Sequence, residues 1–144
     1  MKNNKDILQL IIAAIMVIFA NAAHAQENYI KDLAELFGKF SDLIAKVERA
    51  SPTNVASVIE LQTLAVELLP KLGQLSQEAA KRNLALLKSG EKNNKRLLLI
   101  SSSADSLLLA DNLLLRYIYT NEAIFIDQSN AAVAIARALQ QSIK

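Results

Sequence analysis

The sequence predicts an all-α fold, an antiparallel bundle of three to four helices that follows a cleaved N-terminal signal peptide, and three observations carry the prediction. Residues 97–119, LLLISSSADSLLLADNLLLRYIY, are apolar over most of a helical circumference. Residues 28–50 repeat their apolar positions in heptads. Strong breaks fall only at Ser51-Pro52-Thr53-Asn54 and Ser89-Gly90, and no stretch alternates apolar with polar as a strand does.

The first 25 residues read as a leader. Lys2 and Lys5 make a positive start, residues 7–20 an apolar run, and Ala23-His24-Ala25 a small-x-small cleavage box, which predicts a mature chain beginning at Gln26 and a single domain over 26–144. An uncleaved anchor is the other reading of this segment, since its apolar length is near the lower limit for a bilayer span. No cysteine follows the apolar run, so lipid attachment to cysteine is excluded. Export in this form predicts a periplasmic or secreted location.

Cleavage changes the chemical inventory. His24, Met1 and Met16 leave with the leader, so the mature chain contains no His, Met, Cys or Trp. Imidazole, thiolate and thioether ligands are then missing, which argues against a zinc, copper, haem or iron–sulfur site; neither a cofactor nor a metal is expected. Triads built on His or Cys fall for the same reason. With Lys2, Lys5 and Asp6 removed, 14 basic side chains face 13 acidic ones. So even a balance is not that of a nucleic-acid binder.

The first mature helix, 28–50, has Ile30, Phe37 and Ile44 at a, Leu33, Phe40 and Val47 at d, and Tyr29, Leu36 and Leu43 at g. Three heptads are the minimum for a coiled coil, and packing within one bundle is the favoured use of the stripe. Glu35 and Lys39 pair at i, i+4 on the polar side. Ser51 as cap and Pro52 at the first turn predict the next helix, 52–88, with its seam along Val58, Leu61, Ala65, Leu68, Leu72, Leu75, Ala79 and Leu86. Pro70 removes a backbone donor inside that helix, so a kink is expected there; Pro70 and Gly73 are the hinge candidates.

Ser89-Gly90 ends the second helix, and the connection that follows is basic: Lys88, Lys92, Lys95 and Arg96 form a candidate patch, a solvated tip or a peripheral membrane contact. The third helix, 94–119, should be the centre, because a helix apolar nearly all round needs several neighbours. Asp105, Asp111 and Arg116 interrupt it too soon for an ordinary membrane span. Ser103 and Asp111 stand on its apolar side as candidate buried polar residues. An antiparallel hairpin would set Asp111 near Lys71 or Gln74. The last helix, 121–142, places Phe125, Ala132, Ala136, Leu139 and Ile143 on one side, and its many alanines predict close approach to a neighbour.

No catalytic constellation emerges: Ser101-Ser102-Ser103 has no His, glycine elbow or oxyanion loop beside it. The expected function is a non-catalytic exported module that binds a protein partner or a second copy of itself through apolar surface. A carrier or sensor of a small apolar ligand held between the helices is the alternative.

Overall fold

The computed structural model describes residues 4–50, 53–90 and 94–143, with side chains described from Ala25 onward. The described chain is all-helical. Four helices follow one another: α1 (Asn4–Arg49), α2 (Val55–Lys88), α3 (Lys95–Thr120) and α4 (Ala123–Gln141). Ser51, Pro52 and Lys92, to which the sequence assigns a helix start and part of the basic tip, lie outside the described residues.

The heptad stripe of α1 is realised. Leu33, Leu36, Phe37, Phe40, Leu43 and Val47 are buried, and Tyr29, Ile30 and Ile44 pack at the margin of the same core. On the outer side Lys39 donates to Glu35, and this partner holds the exposed carboxyl below its ordinary range. Lys46 reaches across to Glu60 of α2 at 3.0 Å.

α2 begins three residues later than the sequence predicts, because the cap is Asn54: its Oδ1 accepts from Ser57 N at 3.3 Å. From Val55 it continues unbroken through Pro70 to Lys88. Leu61, Ala65, Leu68, Leu72, Leu75 and Ala79 form its buried seam. Gly90, at φ 82°, takes the left-handed position beyond the helix end, and its N–H donates to Leu87 O. At the other junction Asn121 adopts φ 55° and donates its N–H to Tyr117 O at 2.7 Å. The chain then turns directly into α4.

Interhelical hydrogen bonds define the pairing. Ser76 faces Ser101, and Asn83 Oδ1 accepts from Asn94 N at 2.9 Å, so α2 and α3 run antiparallel. Ser103 bonds to Ala136 and Ser129 to Ala110, which makes α3 and α4 antiparallel too. Among the described residues α1 packs against α2 and α3, whereas α4 packs against α3 alone. The third helix is therefore the shared element, with ten of its residues buried from Leu97 to Leu115.

By length and composition α3 could cross a bilayer, but 44% of its most apolar window is already buried inside the protein. That burial is what its wide apolar perimeter serves.

Gly38 and Gly73 lie inside helices, and a Cβ added at either meets nothing within 4 Å. Neither glycine is required by space. We expect Gly38→Ala and Gly73→Ala each to raise stability by about 0.5–1 kcal/mol, through helix propensity and a less free unfolded chain; denaturant titration of each variant measures it.

Candidate functional site

The flanks of α3 differ in chemistry, and its buried polar residues show which flank meets which neighbour. Ser101 and Ser103 are two residues apart, which is roughly 200° around a helix. Ser101 Oγ lies 3.1 Å from Ser76 Oγ of α2, and Ser103 Oγ donates to Ala136 O of α4 at 2.8 Å. Hence α2 and α4 lie on opposite flanks of α3.

Between α3 and α4 the bonding is reciprocal. Ser103 of α3 donates to a carbonyl of α4, and Ser129 of α4 donates to Ala110 O of α3, both at 2.8 Å. Each carbonyl has a second lone pair beyond the one its own helix uses, so neither bond interrupts a ladder. A hydroxyl reaching the backbone of the facing helix demands close approach, and the buried neighbours Ala110, Ala132 and Ala136 permit it. The sequence singles out Ser103 but not Ser129. Its signal was available: Ser129 precedes Ala132 by three and Ala136 by seven positions, on the same stripe of small residues.

Asp111 is fully buried, and neither carboxylate oxygen has a hydrogen-bond partner. Burial pushes its pKa from 3.8 up to about 7. The expected partners do not reach it. Lys71 and Gln74 are exposed, and Gln74 donates to Glu78 instead. The cause is register: with Ser76 opposite Ser101, Asp111 is level with Val66. Asn83 sets that register by taking the N–H of Asn94, which places the start of α3 beside a residue five positions before the end of α2.

The remaining candidates are spread out. Lys88, Lys95 and Arg96 are exposed around the tip where α2 ends and α3 begins. Pro70 is exposed on the outer side of α2 and Gly73 is half-buried. Tyr117 is half-buried against the core, and Tyr119 is exposed beside a cleft of about 260 Å³ that Val47, Leu61 and Ile118 also line. Another cleft, about 410 Å³, follows the seam of α1 and α2 beside Leu43, Leu64 and Leu68. Asp111 lines neither cleft.

The largest feature is a face that the sequence alone does not locate. α1 lies against α2 and α3 on one side of the layer formed by α2, α3 and α4. On the opposite side α3 presents Leu98, Ser102, Asp105, Leu109, Asn112 and Arg116, all exposed and spaced alternately by four and three residues. Helical geometry puts Val55, Ile59, Val66, Leu84 and Leu87 of α2 on this side, with Ile124 and Ile135 of α4. Thus nine of the ten large hydrophobic side chains exposed among the described residues share one face; Tyr119 is the tenth. On that face the α2 stripe Val55, Ile59, Gln62, Val66, Leu69, Gly73, Gln77, Ala80, Leu84 and Leu87 carries no charge. Nor does the α4 stripe Ile124, Gln128, Ala131, Ile135 and Leu139. Its α3 ridge carries Asp105 and Arg116, with Lys95 three residues before Leu98 at the tip, and the Arg116 guanidinium lies 5.8 Å from the centre of the Phe125 ring.

The chain matches no known protein family, and no curated protein or solved structure is similar to it.

Proposed function

We propose that this chain is a non-catalytic, exported interaction module that docks a protein partner, a different protein or a second copy of itself, through the bare apolar face of α2, α3 and α4. The observation that carries the reading is the segregation of exposed apolar side chains. Singly scattered hydrophobic residues are ordinary on a surface, whereas a contiguous apolar face marks a docking surface. The face opposite it, built on α1, is charged, with Lys31, Asp32, Glu35, Lys39, Asp42, Lys46 and Glu48 exposed.

Delivery in this reading depends on a signal peptide, 1–25, removed before Gln26. Its removal is compatible with the bundle, since every described core residue lies at or beyond Leu33, with Tyr29 and Ile30 at the margin. Pro70 bends α2 without breaking it, because the proline has no N–H to give to the carbonyl of Val66. The basic tip at Lys88, Lys95 and Arg96 is a secondary contact at most.

A photoreactive amino acid placed at Leu109 or Val66 in the native cell should cross-link to protein, while one placed at Lys39 should give no comparable product. Equal labelling from both faces, or cross-links to lipid alone from Leu109, would remove the docking reading. Native mass spectrometry that finds a small apolar molecule held by the purified protein would favour the carrier alternative.

A further inference from the structure

The bare face has a charge pattern that selects its occupant. α3 is its central ridge, and Leu98, Ser102, Asp105, Leu109, Asn112 and Arg116 repeat along it at heptad spacing, the spacing that gears one helix into another. Asp105 and Arg116 are opposite in sign and 11 residues apart, which is about 16 Å along the axis, on nearly the same azimuth. Both flanking stripes are uncharged. Beyond Lys95 at the tip, the ridge carries one minus and one plus on a single line, a pattern complementary to itself when reversed.

Resting on the interaction reading above, we propose that the face is covered by a second copy of this chain, with the two α3 helices antiparallel and a twofold axis passing between Ala110 and Asp111. In that arrangement Asp105 of each copy meets Arg116 of the other, and Leu109 meets Asn112. Two ion pairs form by one symmetry operation, as an isologous interface requires. The parallel alternative sets Asp105 against Asp105 and Arg116 against Arg116, so repulsion selects the antiparallel one. The axis also stacks α2 on its own copy and α4 on its own copy, which brings the uncharged stripes together.

The area is close to that of a standard dimer interface. With the axis between Ala110 and Asp111, α3 overlaps its copy over residues 101–120, α2 over 55–78 and α4 over 123–134. At the usual rise and helix spacing that is about 750 Å², near the roughly 800 Å² per partner of a standard interface.

The chain has no cysteine, so introduced cysteines report without background. The full chain is co-expressed as two differently tagged copies, one carrying Asp105→Cys and the other Arg116→Cys, and oxidised in the cell. We expect the mixed disulfide to exceed either homodisulfide, because only facing positions come within disulfide reach. Charge reversal supplies the second measurement. Asp105→Arg should weaken self-association about tenfold by placing Arg opposite Arg116, and the double exchange Asp105→Arg/Arg116→Asp should restore it.

Homodisulfides without the mixed product would overturn the antiparallel pairing. A wild-type chain that remains monomeric, together with co-expressed cysteine variants that give no disulfide, would overturn self-association altogether. In that case continued cross-linking from Leu109 to a different protein leaves the interaction reading standing, whereas loss of both results removes both ideas.

Discussion

Asp111→Asn should abolish a pH dependence of stability that the wild-type chain shows between about pH 4 and pH 7. Asp111 is buried without a hydrogen-bond partner, and burial raises its pKa from 3.8 to about 7. Below about pH 4 the carboxyl is protonated in both folded and unfolded chains, and its ionisation does not favour either. As pH rises the unfolded chain ionises first, so the unfolded state releases its proton while the folded state keeps it. Stability therefore falls with rising pH, by about 4 kcal/mol once both states are ionised above pH 7. Asn has nearly the shape of Asp and does not ionise. It should match wild type near pH 4 and exceed it by about 2–4 kcal/mol at pH 8. Asp111→Leu should also stabilise at pH 8, although its extra volume offsets part of the gain. Denaturant unfolding at both pH values measures this, and parallel slopes for wild type and Asn would show that Asp111 stays ionised in the fold.

The second large effect is expected at Ala136. Its side chain is fully buried, and its carbonyl accepts the Ser103 hydroxyl at 2.8 Å. Leu at this position forces α4 off α3, which adds an overpacking cost of about 1–3 kcal/mol to the loss of that bond, itself worth about 1 kcal/mol. Because α4 packs against α3 alone among the described residues, the damage should be local. Hydrogen exchange should show the α4 amides of Ala136→Leu opening while those of α2 and the buried half of α3 stay protected. Uniform loss of protection would mean that α4 supports the whole bundle.

Periodicity made most of the fold legible. All nine apolar positions of the α1 heptads enter the core or pack against it, and the α2 seam is buried from Leu61 to Ala79. These readings depend only on which side of a helix a residue occupies, and that follows from spacing. Axial position is different. The pairing of Asp111 with Lys71 or Gln74 assumed a connection split evenly between the helices, but the contact of Asn83 with Asn94 shifts one helix along the other. Such a shift moves every cross-helix neighbour without altering any periodicity.

The start of α2 eluded the sequence for a related reason. Ser51-Pro52 and Asn54 both carry capping chemistry, and the cap is formed at Asn54. Ser129 was hidden by composition, since a serine among alanines in a helix is usually unremarked. Surplus apolarity was expected around residues 97–119, but that perimeter is mostly buried and the stripe α3 exposes is largely its polar one; seven of the nine apolar side chains of the bare face belong to α2 and α4, so the face could not be located before the neighbours of α3 were known. Once Ser101 and Ser103 assign α2 and α4 to opposite flanks, its position follows.

The order in which the helices pair has a kinetic consequence. α2 meets α3 and α3 meets α4, each across a short connection, and α1 meets α2; only the contact of α1 with α3 skips an element. Contacts between elements adjacent in sequence need little loop closure before they are rewarded, so this is a topology of low contact order. Helical domains of that kind fold in microseconds to milliseconds. The exposed apolar face is therefore presented by a structured surface almost as soon as the chain is free to fold.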